Sequence, residues 1–252
     1  MQETKAKYKN IFKIRTIILE NMVKSIKKKN EKLEKTIQQK KDVIITFCAH
    51  NDDNIIGVGG TIAKHVKEGG IALSYISCFG EKSLPHMKPE YVLKTRVKES
   101  TRAKKILGDE IYYFGLREGK IEEDAKTRNI KEKIKQIIKE KKPGKIFTHS
   151  LDDPHPDHRA TLKVLREALD EIKYKGEVYS FDVWNPINIR KRDSPKLVVD
   201  ISDTFKKKIE SFKVHKSQWI SYALLGWLVW LKAYLAGHKN KCRYAEVFYK
   251  IN

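Results

Sequence analysis

The sequence predicts an α/β fold with a mostly parallel sheet flanked by helices. Residues 43–47 form a short, β-branched apolar run between polar residues, which is typical of a buried parallel strand. A glycine-rich stretch at 57–61, interpreted as a turn, leads into a helical pattern, and such strand–helix units recur along the chain. The expected architecture is a single Rossmann-like domain, with further strands at 71–77, 110–114, 145–148 and 178–184 and helices at 91–107, 126–141 and 161–172.

The length and the charge of the chain limit the classes of protein to consider. Its 252 residues and 29.4 kDa suffice for one α/β domain with a sizeable core. A net charge of +21 raises the hypothesis of nucleic-acid binding. The lysines are spread along the whole chain, however, without a helix-turn-helix or an RNA-binding aromatic signature. We therefore favour a basic, solvated surface, and nucleic acid is not an expected partner.

The cysteines argue against a secreted protein stabilised by disulfides. The chain has three cysteines, an odd number, and no CxxC pair occurs among Cys48, Cys78 and Cys242. The N-terminus does not resemble a signal peptide either, because charged residues interrupt its apolar stretch at 11–22. We therefore predict a cytoplasmic location, with membrane association as an option.

We predict that residues 1–42 form a basic helical extension before a domain at 43–252. They carry 13 Lys and Arg against 5 Asp and Glu, and neither Gly nor Pro. Such a helix either packs on the domain or a partner subunit, or lies on an anionic membrane surface, and we favour packing. Apolar residues recur every three or four positions, as on one face of an amphipathic helix, at Ile11, Ile14, Ile18, Met22 and Ile26.

Two stretches carry residues suited to chemistry. His50 and Asp53 follow the strand at 43–47, and His155 and His158 follow the strand at 145–148. Because parallel strands end at the same edge of a sheet, these side chains can converge there. His50, Asp53 and one of the two later histidines would offer zinc two imidazoles and a carboxylate, with a position left for water. Spacing alone does not say which histidine binds, and Fe, Co or Mn remain alternative ions.

The combined pattern resembles the PIG-L/LmbE-like family of zinc-dependent N-deacetylases. The family's first motif, AHPDDE, stands here as AHNDDN at 49–54, and its second motif, HPDHRA, is intact at 155–160. The resemblance implies a Rossmann-like fold and one zinc ion per chain. It also implies that His50, Asp53 and His158 hold this ion.

The resemblance further implies roles for residues beside the metal ligands. Asp52 would be the general base, and His155 would stabilise the oxyanion or assist the leaving group. Asp157 would orient His155 as a supporting carboxylate. Arg96 and Glu99 match an Arg-x-x-Glu element of the family, whose arginine faces the substrate, although such pairs are also common on ordinary helices.

Two positions depart from the first motif. Asn51 replaces its proline, so that the turn loses a fixed φ, which is a mild change. Asn54 replaces its glutamate, which removes a carboxylate that we expect beside the site. Neither position is a proposed ligand or base, so we expect activity to survive, with substrate choice or metal tuning altered.

The segment 219–236 is rich in tryptophan and tyrosine. Its longest uncharged part, at 218–231, is shorter than the roughly 20 residues that span a bilayer. We interpret it as a buried or interface helix. The alternative is a hydrophobic lid that meets a membrane or a lipid-linked substrate, since tryptophan is enriched at membrane interfaces.

Taken together, the motifs predict a metal-dependent hydrolase that removes the acetyl group from an N-acetylglucosamine-type amino sugar, whether free, oligomeric or linked to a lipid or inositol. One alternative is an amidase acting on a non-sugar or thiol-conjugate amide. Another is a basic protein that binds nucleic acid or a membrane surface and has a vestigial metal site. The sequence also allows a homo-oligomer and a peripheral membrane contact through 1–42 or 219–236.

Overall fold

The computed structural model describes residues 41–84, 86–184 and 196–251, and its centre is a seven-stranded sheet. The strands are β1 Val43–Cys48, β2 Ile71–Cys78, β3 Glu110–Leu116, β4 Lys145–His149, β5 Glu177–Phe181, β6 Lys196–Asp200 and β7 Ala245–Lys250. The helices are α1 Asp53–Lys67, α2 Pro89–Leu107, α3 Ile121–Thr127, α4 Ile130–Lys141, α5 Pro156–Glu171, α6 Phe205–Lys213 and α7 Trp219–Lys239, with a 3₁₀ turn at Lys216–Gln218 before α7.

The strand order is β3-β2-β1-β4-β5-β7-β6. Strands β1 to β5 run parallel, whereas β7 is antiparallel to both β5 and β6. The prediction of a mostly parallel sheet is therefore confirmed. From β1 the chain proceeds to β2 on one side, and β4 later pairs on the other side. The order of the strands thus reverses between β1 and β4, which is where open α/β sheets bind their ligands.

Two apolar clusters cover the two faces of the sheet. Successive residues of a strand point to opposite faces, so Ile44 and Ile45 of β1 belong to different clusters. The first cluster contains side chains of α1, α2, α6 and α7, and the second contains side chains of α3, α4 and α5. Helices therefore flank the sheet on both sides, as the alternating pattern of strands and helices predicts.

The glycine-rich stretch 57–61 is helical, so its interpretation as a turn was wrong. It lies in the first turns of α1, which begins at Asp53. A Cβ on Gly57 would collide with the ring of Phe181, and a Cβ on Gly60 would lie 2.6 Å from Ile201 Cδ1. The glycines therefore serve the close packing of α1 on β5 and on the segment after β6, rather than a change of chain direction.

A buried ion pair ties α1 to α6 and β7. Lys208 Nζ lies 2.5 Å from Glu246 Oε1 and also donates to the carbonyl of Ile56 at 2.8 Å. The Glu246 carboxylate accepts the backbone N–H groups of Gly60 and Thr61 at 3.0 and 2.8 Å. Since Lys208 and Glu246 are both buried, each charge depends on the other.

Other predicted boundaries shift in detail. The helix expected at 126–141 is two helices, α3 and α4, separated at Asn129, whose φ of 52° interrupts the helix. The strand expected at 178–184 ends at Phe181. The predicted extension lies almost wholly outside the described residues, because only its positions 41 and 42 are described. Among the helices of the described segments, none has the length and apolarity needed to cross a membrane.

Candidate metal centre

The predicted site residues meet at the carboxyl ends of β1 and β4. After β1 ends at Cys48, the chain turns through His50 and Asp52 and enters α1 at Asp53. After β4 ends, a loop leads to His155, which caps the N-terminus of α5. The turn after β1 is held by Asp53, whose Oδ2 accepts the backbone N–H of His50 at 2.7 Å. The switch point of the sheet thus brings both motifs to one place.

Three side chains of this cluster have the spacing of metal ligands. His158 Nε2 lies 3.3 Å from His50 Nδ1 and 3.4 Å from Asp53 Oδ1, and His50 Nδ1 lies 3.5 Å from Asp53 Oδ2. Ligands bound tetrahedrally to zinc at their usual bond lengths are about 3.3 Å apart. The three residues are therefore close to the spacing that such an ion requires, and all of them are buried.

The electrostatic field at these ligands favours a cation. Burial lowers the pKa of His158, but Asp53 and Asp153 outweigh it and raise this pKa to about 9. Burial also lowers the pKa of His50, but its contacts, those with Asp157 and Asp53 among them, outweigh burial and raise this pKa. Since a proton and a metal ion compete for the same imidazole lone pair, carboxylates that stabilise one also stabilise the other.

Sequence reasoning missed two residues that contact the proposed ligands. Asp153 Oδ1 lies 2.9 Å from His158 Nδ1, which leaves the Nε2 of His158 for the metal. His149, the last residue of β4, stacks on His158 with ring centroids 3.9 Å apart, and its Nε2 lies 3.3 Å from Asp53 Oδ2. Burial lowers the pKa of His149 to about 4, so the ring is neutral and its Nε2 accepts the N–H of Ala49. The sequence signal that was available for His149 was the presence of a polar residue at the end of a predicted strand.

Two further groups of potential ligands in the described part of the chain overlap with this one. They are His50, Cys78 and Asp157, and His149, Asp153 and His158. Burial raises the pKa of the Cys78 thiol, and its Sγ donates to the carbonyl of Ala49 at 3.1 Å, so it is a poor thiolate ligand. The group formed by His50, Asp53 and His158, in contrast, borders an open cavity through His50 and Asp53. That access is what a catalytic metal requires.

The cavity beside these side chains has a volume of about 240 Å³ and is lined by both polar and apolar residues. Asp52 and Arg96 lie in its wall, with Arg96 Nη2 2.9 Å from Asp52 Oδ1. Arg96 is held by Asn51, whose Oδ1 accepts from Nε at 2.6 Å. Its guanidinium also passes so close to Gly80 that a Cβ there would lie 2.6 Å from Nη1. The other lining residues are His50, Asp53, Ile56, Ser83, Leu84, Glu118, His155, Val183, Trp184, Ser217 and Gln218.

His155 and Asp157 differ from their predicted arrangement. The Asp157 carboxylate accepts the backbone N–H of Gly119 at 3.0 Å and lies 3.5 Å from His50 Nε2. It therefore contacts the proposed ligand His50 and does not orient His155 as predicted. His155 Nδ1 instead accepts the backbone N–H of Asp157 at 3.2 Å, which places the ring proton on Nε2. Burial, together with His50 and His158, lowers the pKa of His155, so the ring is neutral.

Asn54 lies in the core and not beside the site, contrary to our expectation. Its Nδ2 donates to Asp109 Oδ2 at 3.1 Å and approaches Ser74 Oγ at 3.3 Å. Ser74 also donates to the same carboxylate oxygen at 2.6 Å. The amide at this position therefore satisfies a buried acid, a role that a glutamate could not fill.

Comparison with known proteins gives one family and a set of related structures. The family model described as PIG-L, GlcNAc-PI de-N-acetylase, matches residues 45–169, which contain both motifs. The diacetylchitobiose deacetylase of Thermococcus kodakarensis is 27% identical, covering 81% of this chain and 82% of that protein.

Solved structures with the same fold differ in their reactions. The N,N'-diacetylchitobiose deacetylase of Pyrococcus horikoshii superposes with a TM-score of 0.67 at 21% identity, covering 85% of each chain. The 4-carboxy-2-hydroxymuconate hydratase GalB of Pseudomonas putida gives 0.68 at 19% identity, covering 84% of this chain and 96% of its own. The fold alone therefore does not decide the reaction. The sequence match over both motifs does decide the family, and the chain belongs to the PIG-L family of de-N-acetylases.

Proposed function

We propose that this PIG-L deacetylase removes the acetyl group of an N-acetylglucosamine-type amino sugar and uses zinc held by His50, Asp53 and His158. The relative from Thermococcus kodakarensis acts on diacetylchitobiose, and the family description names an N-acetylglucosaminyl lipid, so the N-acetylglucosamine unit is common to both. Two imidazoles and a carboxylate suit zinc in a catalytic site.

One observation carries the proposal. The ring nitrogens of His50 and His158 lie 3.3 Å apart, each lies 3.4 to 3.5 Å from an oxygen of Asp53, and His50 and Asp53 line the cavity that also contains Asp52. Zinc bound at such a site lowers the pKa of water to about 7 and polarises a carbonyl group. The remaining requirements of amide hydrolysis are a proton acceptor, a stabilised oxyanion and a proton for the leaving amine, and these fall to side chains of the chain.

Asp52 is the proposed general base. Its carboxylate takes a proton from the attacking water as oxygen bonds to the acetyl carbon, and it later delivers that proton to the amine nitrogen as the C–N bond breaks. Arg96 fixes Asp52 by donating from Nη2 to Oδ1, which leaves Oδ2 for the water. In this arrangement Arg96 also borders the cavity, where we propose that it contacts the sugar.

His155 is the proposed oxyanion donor. Because its Nδ1 accepts the N–H of Asp157, Nε2 carries the ring proton and can donate to the oxygen of the tetrahedral intermediate. A neutral imidazole suffices for this role, in agreement with the lowered pKa of His155.

The substrate class is tested by identifying the released acid. We expect purified protein with bound zinc to release acetate from N-acetylglucosamine or diacetylchitobiose, and the Asp52→Asn variant to release it about 10² to 10⁴ times more slowly. Release of a larger acid from other amides, with no acetate from either sugar, would contradict the proposed substrate class and favour the amidase alternative.

A further inference from the structure

Helix α7 presents a broad apolar face to solvent. Positions 219, 223, 227, 230 and 234 recur every three or four residues and therefore form one stripe along the helix. The side chains of Trp219 and Trp227 are 64% and 61% exposed, and Trp230 stacks on Tyr234 at 5.3 Å. A continuous apolar face of this kind on a folded domain marks a binding surface. Its exposed large side chains are Trp219, Leu224, Trp227, Trp230, Tyr234 and Leu235.

The opposite face of α7 packs on the domain. Val229 and Ala233 are buried, Val229 in the apolar cluster that also contains α1 and α6. The helix is therefore fixed to the domain by one side, and the aromatic side is held outward. In a helix that merely completes the core, the aromatic residues would instead face inward.

The chain around this face is strongly basic. Between positions 211 and 245 there are six Lys and Arg and no Asp or Glu. Lys213 and Lys216 precede the helix and Lys239, Lys241 and Arg243 end or follow it, and all five are exposed. An aromatic stripe thus has cations near both of its ends, which complements a surface that is apolar inside and anionic outside.

We propose that the aromatic face of α7 lies on the surface of an anionic lipid membrane. Tryptophan and tyrosine favour the headgroup level of a bilayer, where their rings contact acyl chains and their polar atoms stay hydrated. The helix lies on the membrane and does not cross it, since none of the helices in the described residues is long and apolar enough to do so.

Charge favours an anionic membrane over two other candidate partners of this face, which are a second copy of the chain and the chain's own segment 1–42. In an isologous dimer through this face, the cations would meet the same cations of the second copy. The chain's own segment 1–42 carries a net charge of +8 and would also be repelled. Anionic lipid headgroups, in contrast, neutralise these lysines.

Membrane contact would place the catalytic cavity at the lipid surface. Ser217 and Gln218 line that cavity, and the next residue, Trp219, begins the exposed face. Trp184, which also lines this cavity, is partly exposed as well. The cavity and the aromatic face are therefore neighbours along the chain. When the aromatic face of α7 binds the membrane, it also orients the cavity relative to the lipid surface.

The test is sedimentation of the full-length protein with vesicles. We expect binding to vesicles of phosphatidylcholine and phosphatidylglycerol at 7:3, and far weaker binding to phosphatidylcholine alone. The double variant Trp227→Ser/Trp230→Ser should bind the anionic vesicles at least about tenfold more weakly, because it loses two of the inserted rings. Tyr91→Ser, which removes an exposed aromatic ring from α2, is the matched control and should bind as the wild type does.

The variants replace exposed side chains, so an unchanged thermal midpoint is expected and is checked first. The proposal is overturned if wild type does not sediment with anionic vesicles, or if the double variant sediments equally well. It is also overturned if the wild type is a dimer, the double variant is a monomer, and neither protein binds vesicles. Acetate release from a water-soluble sugar needs no vesicle, so this result is separate from that of the proposed reaction.

Discussion

Asn51 anchors the arginine that contacts Asp52. Its Oδ1 accepts from Arg96 Nε at 2.6 Å, and its Nδ2 donates to Ser100 Oγ at 2.8 Å. These contacts fix the guanidinium that reaches Asp52. A proline, which stands at this position in the family motif, could make neither contact. The departure from the motif therefore adds an anchor for Arg96, rather than being the mild change that the sequence indicates.

The first prediction for a single residue concerns Asp52. Asp52→Asn keeps an oxygen for Arg96 but cannot take a proton, so we expect turnover to fall by about 10² to 10⁴. The variant should retain the metal, because Asp52 is not among the ligand atoms that converge. Metal analysis and acetate release on the same sample check both parts, and near wild-type turnover would remove Asp52 as the base.

The second prediction concerns Asn54. Asn54→Glu restores the family residue but buries a second carboxylate against Asp109, whose pKa burial already raises. We expect the free energy of unfolding to fall by about 3 kcal/mol or more, since an unpaired buried charge is costly. Urea denaturation measures the loss.

A double variant provides the control for this effect. Adding Asp109→Asn to Asn54→Glu removes one of the two acids and should recover part of the lost stability. If Asn54→Glu unfolds at the wild-type urea concentration, the two side chains do not interact as the structure indicates.

The roles of single residues were only partly predictable from the sequence. His50, Asp53 and His158 stand in motifs whose order and spacing indicate a metal. His149 and Asp153 also follow β4, but their contacts with Asp53 and His158 depend on side-chain directions at two neighbouring strand ends. A single sequence does not contain those directions, because they follow from how β1 and β4 pair.

Among the helices, α1 positions Asp53, one of the three proposed ligands. It carries Asp53 in its first turn and is pressed against β5 by Gly57 and against Ile201 by Gly60. Strands were predictable, because a β-branched apolar run identifies a strand locally. The glycines were misinterpreted because they are needed for close contacts with residues that are distant in the sequence. A local sequence pattern does not reveal such contacts.

The third prediction tests the anchoring of α1. Lys208→Met leaves Glu246 buried without its cation, so we expect a loss of about 3 to 5 kcal/mol in the free energy of unfolding. Lys207→Met, on the exposed side of the same helix, is the matched control and should change it by less than about 0.5 kcal/mol. Equal stability of the two variants would show that the ion pair does not hold α1.

For the whole molecule, the sheet topology brings the two motifs together. They are about a hundred residues apart in the sequence, yet β1 and β4 are hydrogen-bonded neighbours with the strand order reversing between them. The chain as a whole is strongly basic, but the metal site is surrounded by carboxylates, so the net charge of +21 says nothing of the site. The charge bears instead on the surfaces that the chain presents to other molecules.

The central claim is that His50, Asp53 and His158 hold the metal that deacetylation requires. It is tested most directly by measuring bound metal and acetate release together, for wild type, His158→Ala and the surface control His238→Ala. We expect one equivalent of zinc and acetate release for wild type and His238→Ala, and the loss of both for a folded His158→Ala. Full metal content and acetate release in His158→Ala would contradict the account.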